Sequence, residues 1–184
     1  MRIGLISDTH IPVAQKELWP QVYEAFREPP VDLIMHGGDL MVPEVIDWLE
    51  EIAPVMAVQG NGDYTGFERS VPPSDPRLSE AKVLNVDLAH GRKLRIGLVH
   101  DFQLPDAPPL RTIEGQMQHN FGGAVNVIVR GSTHRAEVIT VKGVLIVNPG
   151  SPTFPNHMQT RLGTIGFLDI DELGRVHPTL VQLT

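Results

Sequence analysis

The sequence predicts an α/β protein in which two mixed β-sheets pack face to face with helices on the outside, a four-layer α/β/β/α sandwich. The first third of the chain alternates short apolar runs with amphipathic segments, in the order β-α-β-α-β. This order is typical of parallel strands joined by crossover helices. The remainder is dominated by pairs of strand-like runs that flank a glycine, which is typical of antiparallel hairpins.

The elements of the first third follow from apolar periodicity. Residues 2–6, 31–35 and 55–58 are short apolar runs and are predicted as buried strands. Residues 18–27 and 43–52 carry apolar side chains at helical spacing and are predicted as the two crossover helices.

The later elements are predicted from glycine turns and strand-like composition. We expect a helix, a strand, three hairpins and two loops near the site. The first loop is predicted at 64–76, followed by a hairpin at 83–89 and 94–99 and a second loop at 101–109. A helix at 110–121 and a strand at 125–129 come next, and then hairpins at 136–141 with 144–147 and at 164–170 with 175–182.

Length and composition limit the protein class. The 184 residues, 41% of them hydrophobic, suit one domain over residues 1–184. The net charge is −7 without a Lys/Arg cluster, so we expect no long nucleic acid as partner. No apolar run approaches the ~20 residues of a membrane span, and the N-terminus lacks a signal-peptide pattern, so we expect a cytoplasmic protein without membrane association. The absence of cysteine excludes disulfides and thiolate metal sites.

Five polar segments each follow a predicted strand and each supply an oxygen or imidazole ligand. With an extended chain, Asp8 and His10 would face the same side because the residue between them points away. The later segments supply the candidate ligands Asp39, Asn61, His100 and His134. In chain order the five segments are Asp8-Thr9-His10, Gly37-Gly38-Asp39, Gly60-Asn61-Gly62-Asp63, Val99-His100-Asp101 and Gly131-Ser132-Thr133-His134. Carboxyl ends of strands are where α/β proteins gather functional groups.

Each of these residues also has an ordinary structural explanation. Asp8 could cap the next segment, Asp39 could be a turn residue and Asn61 could be a left-handed turn residue. His100 could be a hydrogen-bonded strand-end histidine, and His134 could stack near Arg135. These explanations weaken together because all of them must hold in the observed order.

The series resembles the calcineurin-like metallophosphoesterase superfamily, whose pattern is D-x-H, G-D, G-N-H-D/E, a lone H, and G-H-x-H. The small size of the chain is similar to that of proteins in its compact phosphodiesterase branch, which also includes the retromer sorting subunit. The segment Asn148-Pro149-Gly150-Ser151 is similar to one typical of that branch. The similarity covers roughly residues 1 to 170, and five motifs in the right order are far more specific than a lone D-x-H.

The resemblance implies a metal-dependent phosphoesterase, most simply a phosphodiesterase of a small phosphoester, that uses a hydroxide bridging two divalent ions. Manganese is the expected metal, with iron, zinc and nickel as alternatives that suit the same mixed ligands. Asp39, Asn61 and His100 are the residues assigned to the catalytic group. The resemblance implies two ligand sets: Asp8, His10, Asp39 and His134 for the first metal, and Asp39, Asn61 and His100 for the second.

Two departures from the pattern keep a second function open. Gly62 stands where many relatives carry a catalytic histidine, and Ser132 stands where the pattern places a histidine ligand of the second metal. We expect Ser132 to contact that metal weakly or through water. His36 and Asp63 are expected to support ligands without binding metal. The alternative is a non-catalytic protein-binding scaffold on the same fold, and a homo-oligomer is left open in either case.

Overall fold

The computed structural model describes residues 1–64, 75–109 and 111–184, and these residues form ten strands and three α-helices. The helices are α1 (Pro20–Arg27), α2 (Glu44–Glu50) and α3 (Ile113–Phe121). The strands are β1 (Arg2–Ile6), β2 (Leu33–His36), β3 (Val55–Ala57), β4 (Ala81–Asp87), β5 (Lys93–Val99), β6 (Val127–Val129), β7 (Ala136–Val141), β8 (Val144–Pro149), β9 (Thr164–Ile170) and β10 (Val176–Gln182).

The strands form two mixed five-stranded sheets, which confirms the predicted fold class. The first sheet has the order β10-β9-β1-β2-β3, and the second has the order β4-β5-β6-β8-β7. Strands β1, β2 and β3 are parallel, as are β5, β6 and β8, and the predicted hairpins add the antiparallel strands. Parallel strands end at the same edge of a sheet, so each sheet collects several loops at its carboxyl edge.

Three apolar cores separate the four layers. Leu5 and Met35 of the first sheet pack against Ile96 and Val129 of the second, so the two sheets meet face to face. Helices α1 and α2 cover the other face of the first sheet, where Phe26 is fully buried. Helix α3 covers the outer face of the second sheet. Burial of apolar surface between these layers, at roughly 25 cal/mol per Å², positions the strand ends that carry the polar segments.

Differences from the predicted elements lie at their ends. Helix α3 begins at Ile113, three residues later than predicted, because the Thr112 hydroxyl caps it by accepting a hydrogen bond from the Gly115 amide at 2.9 Å. Strand β4 ends at Asp87 because a 3₁₀ turn follows at Ala89–Gly91. The loop at 101–109 lacks helix and strand as predicted. Residues 65–74 of the other predicted loop lie outside the described residues. No helix within the described ranges combines the length and apolar character needed to cross a membrane.

Candidate metal centre

Five loops meet where the carboxyl edges of the two sheets adjoin. They follow β1, β2 and β3 of the first sheet and β5 and β6 of the second. Backbone hydrogen bonds join neighbouring loops: the Asp8 amide donates to Gly38 O at 2.9 Å, and the Gly131 amide donates to His100 O at 3.0 Å. Sheet topology therefore brings together polar segments that are more than a hundred residues apart in the sequence.

The first loop does not reach the site as an extended strand, so that expectation was wrong. Asp8 has φ 55° and His10 has φ 46°, both in the left-handed region, while Thr9 between them is fully buried. The His10 amide donates to Asp39 O at 3.0 Å, which holds this turn against the next loop. Asp39 and His134 also have positive φ, 56° and 55°. Non-glycine residues rarely adopt this conformation, and they cluster at functional sites where the surrounding structure over-determines them.

Glycines allow the loops to approach the Asp39 side chain closely. A Cβ at Gly60 would overlap the Asp39 carboxylate, and a Cβ at Gly38, where φ is 94°, would lie 2.7 Å from His100 Nδ1. The Gly62 amide donates to Asp39 Oδ1 at 2.7 Å. Gly60 is therefore required by close packing against the carboxylate, and Gly38 by its positive φ and by close packing against the His100 ring.

Four predicted ligands form one compact cluster. Asp8, His10, Asp39 and His134 each direct one ligand atom inward, and these four atoms lie within 4.8 Å of one another. His10 Nε2 lies 3.1 Å from His134 Nε2 and 3.3 Å from Asp39 Oδ2, and His134 Nε2 lies 3.4 Å from Asp8 Oδ1. Ligands held at ~2.1 Å from one ion lie roughly 3.0–3.4 Å apart, so these spacings match a metal coordination shell.

Asn61 and His100 form a second group that also contacts Asp39. His100 Nε2 is 3.2 Å from Asn61 Oδ1 and 3.6 Å from Asp39 Oδ2. Asn61 begins a 3₁₀ turn, Asn61–Tyr64, and does not have the positive φ of a left-handed turn residue. Because Asp39 Oδ2 contacts imidazoles of both groups, Asp39 occupies the position required of a shared ligand.

Backbone carbonyls determine which ring nitrogens of two histidines are free. His100 Nδ1 donates to Gly37 O at 2.7 Å, and His134 Nδ1 donates to Phe154 O at 2.6 Å. A carbonyl only accepts, so in each neutral ring Nδ1 carries the proton and Nε2 carries a lone pair. Both Nε2 atoms face carboxylate oxygens at 3.4–3.6 Å. Two acceptors facing each other repel unless a proton or a metal ion lies between them.

Burial favours the neutral form of the His10 and His134 rings. It lowers the pKa of His134 to about 4 and lowers the pKa of His10. Burial also raises the pKa of Asp8 to about 7, since the carboxylate is removed from water. Neutral imidazoles are the form that binds metal, whereas Asp8 gains from a cation that stabilises its charge.

Two predicted supporting residues hold the loops by hydrogen bonds. Asp63 accepts from the amides of Asp39 at 3.0 Å, Met41 at 2.7 Å and Gly60 at 2.8 Å, which occupies both of its oxygens. His36 Nδ1 accepts from the Gly38 amide at 3.2 Å, and burial lowers its pKa to about 3. Both side chains thus hold the Asp39 loop in place by accepting hydrogen bonds from its backbone amides.

The end of β8 and the loop that follows it make contacts that the sequence did not predict. Asn148 Nδ2 donates to Gly131 O at 2.8 Å, and the Ser151 hydroxyl donates to Asp8 O at 2.7 Å. The His157 ring stacks on the His134 ring with centroids 3.5 Å apart. The position of Asn148–Ser151 directly after the strand predicted at 144–147 was the available signal, but the partners of its side chains are set only by the fold.

Comparison with known proteins supports the same kind of site as the geometry does. The family model of the calcineurin-like phosphoesterase superfamily domain matches residues 1–173. The chain belongs to this superfamily. A probable metallophosphoesterase from Methanothermobacter thermautotrophicus is 38% identical over 156 residues, which are 84% of this chain and 79% of that relative. A phosphodiesterase from Methanocaldococcus jannaschii is 27% identical over 183 residues, 94% of this chain and 95% of the relative.

A solved structure shares the fold of this chain. Vacuolar Protein Sorting 29 from Cryptosporidium parvum matches with a TM-score of 0.67 at 22% identity, covering 100% of this chain and 97% of that one. Membership of the superfamily and the cluster of ligands together support a hydrolase that binds divalent metal.

Proposed function

We propose that the protein is a phosphodiesterase that depends on two divalent metal ions, manganese by preference, and acts on small phosphoesters. One observation supports this above the others: the Nε2 atoms of His100 and His134, whose Nδ1 atoms contact backbone carbonyls, face the carboxylates of Asp39 and Asp8. Imidazole lone pairs opposed to buried, ionised carboxylates are stable only with a cation between them.

The residues divide between two ions. Asp8, His10 and His134 would hold the first, and Asn61 and His100 would hold the second, with Asp39 shared. Two such ions supply a nucleophilic water of lowered pKa and offset the charge of the phosphate. Ser132 lines the space beside the second set and offers only a neutral hydroxyl there, so it would bind that ion weakly or through water.

Residues behind the ligands fix the positions of the ligand side chains. Asp63 and His36 hold the Asp39 loop, and the Gly37 and Phe154 carbonyls orient the imidazoles. Gly62 has no side chain to donate a proton, so the leaving group would depart without a general acid at that position. The name and near full-length match of the Methanocaldococcus jannaschii phosphodiesterase support diesters as the substrate class.

The test combines metal content with turnover. The purified protein would be stripped with a chelator, and hydrolysis of bis-p-nitrophenyl phosphate would then be compared with p-nitrophenyl phosphate as manganese, zinc, nickel or iron is returned. We expect metal-dependent hydrolysis that is faster with the diester. A folded, metal-loaded protein that hydrolyses neither ester would contradict the proposal.

That negative result would favour the protein-binding scaffold. Ser132 and Gly62 are the observations on its side, because both replace a histidine of the family pattern. Against it stands the retention of six converging ligand side chains, which would cost stability if no cation bound them.

A further inference from the structure

A cavity of about 490 Å³ adjoins the first ligand set, and the two-metal chemistry assigns no role to it. Its walls are formed by Arg130, Ser132, Thr133, Arg135, Glu137 and His157. Ser132 connects it to the centre, since its amide donates to Asp8 Oδ1 at 3.1 Å. The stacked His157 and His134 rings form the other connection. The volume lies within the ~300–1,000 Å³ typical of ligand pockets.

The cavity carries one uncompensated positive charge. Arg130 is only 7% exposed, and it is neutralised by Glu137, whose Oε2 accepts from Arg130 Nη2 at 2.7 Å. Arg130 Nη1 donates to Phe102 O at 3.0 Å. Arg135 is exposed, and within the described ranges its guanidinium has no hydrogen-bond or ion-pair partner. Arg135 therefore places a positive charge that no carboxylate of the described residues neutralises beside the first ligand set.

A second cavity, of about 390 Å³, lies beside the other ligand set and has the opposite character. Besides Asn61 and His100 it is lined by Glu80 and Asp101, and no lysine or arginine is among its described lining residues. Ser132 lines both cavities. An extended substrate can therefore occupy both sides of the centre, and an anionic arm is favoured only on the Arg135 side.

We propose that the natural substrate is a phosphodiester with a second phosphate on one arm, and that Arg135 binds this second phosphate. This inference rests on the proposed phosphodiesterase function and specifies its substrate class. Guanidinium matches phosphate in a bidentate geometry that a lysine cannot reproduce. Glu137 does not oppose the second phosphate, because its charge is already paired with Arg130.

The test uses two esters that differ only in that phosphate. Thymidine 5′-(p-nitrophenyl phosphate) would be compared with the same compound bearing a 3′-phosphate, both with manganese and both followed by release of nitrophenolate. A charge-assisted hydrogen bond at an exposed site corresponds to about tenfold in binding. We expect KM to be about tenfold lower for the 3′-phosphorylated ester, with similar kcat.

Three variants make the test specific to Arg135. In Arg135→Ala the KM ratio of the two esters should fall to about one, and in Arg135→Lys it should be intermediate. Arg161→Ala is the matched control, because Arg161 is an exposed arginine on the same loop as His157 but outside the cavity lining. This control should retain the wild-type ratio. A ratio that is unchanged in Arg135→Ala, or that is one in the wild type, overturns the inference while hydrolysis of the simple ester still supports the proposed function.

A binding measurement separates the two proposals if neither ester is hydrolysed. Calorimetry would then compare thymidine 3′,5′-bisphosphate with thymidine 5′-phosphate on the manganese-loaded wild type and on Arg135→Ala. A preference for the bisphosphate that disappears in the variant supports the anion site although the hydrolytic function has failed. Equal affinities in both proteins overturn the anion site as well.

Discussion

Substituting the shared carboxylate, Asp39→Asn, should abolish hydrolysis and metal loading while leaving the protein folded. Asp39 Oδ2 lies 3.3 Å from His10 Nε2 and 3.6 Å from His100 Nε2, one imidazole from each ligand set. Loss of a partner that merely orients a ligand costs about 10–100-fold in metal affinity. A direct ligand should cost at least about 100-fold for each ion, hence about 10⁴-fold for loading both, or about 5.5 kcal/mol.

The metal-free variant should be at least as stable as the metal-free wild type. The asparagine side chain introduced by Asp39→Asn would keep an oxygen in the place of Asp39 Oδ1, which accepts from the Gly62 amide at 2.7 Å. Its amide nitrogen could donate to the lone pair on His100 Nε2, where the wild type opposes two acceptors. The negative charge of Asp39 also contributes to the raised pKa of Asp8, so neutralising it relieves repulsion between two buried carboxylates.

The assay pairs thermal melts with manganese titrations of both binding and rate. The variant should melt normally without metal, show no upward shift in Tm when manganese is added, and remain inactive at saturating substrate. Asp87→Asn is the control, since it makes the same change at an exposed carboxylate at the end of β4, outside the centre and its cavities, and should retain activity. Turnover near the wild-type rate in folded Asp39→Asn would refute the shared-ligand reasoning.

Three further predictions concern the second ion, the leaving group and pH. Ser132→His should lower the manganese concentration for half-maximal rate by about tenfold or more, because imidazole is a better ligand than a hydroxyl. Histidine tolerates the φ of 72° at this position. An unchanged half-maximal concentration would contradict this prediction. Since Gly62 offers no acid, rates over a series of aryl and alkyl diesters should fall as leaving-group pKa rises, and a flat dependence with rate-limiting chemistry would mean that another acid acts. Burial raises the pKa of metal-free Asp8 to about 7, so protons compete with metal for this carboxylate below that pH. Calorimetry should therefore show that the apparent affinity for manganese falls about tenfold per pH unit below pH 7 and is constant above it. An affinity that stays constant from pH 5 to 8 would contradict the buried-carboxylate argument.

Much of the fold and the identity of the candidate ligands could be predicted because their signals are local. Apolar periodicity identified β1, α1 and β2, and each polar segment follows its strand directly in the chain. Residue types then limited the chemistry, since carboxylate, amide and imidazole donors in that order indicate a metal centre. The ends of elements were less predictable because they depend on single contacts, such as the Thr112 cap at the start of α3.

Only the tertiary structure decided how these groups meet. The left-handed conformations of Asp8 and His10 arise from hydrogen bonds to the neighbouring loop, which no local pattern encodes. The free ring nitrogen of His134 depends on the carbonyl of Phe154, twenty residues further along the chain. The fold also decides that Glu137 pairs with Arg130, which leaves the charge of Arg135 beside the centre unpaired among the described residues. Sequence alone determined which ligand types are present and on which loops, since those are properties of neighbouring residues. Distances, tautomers and cavities were decided by the fold, since they depend on how two sheets place their carboxyl edges together.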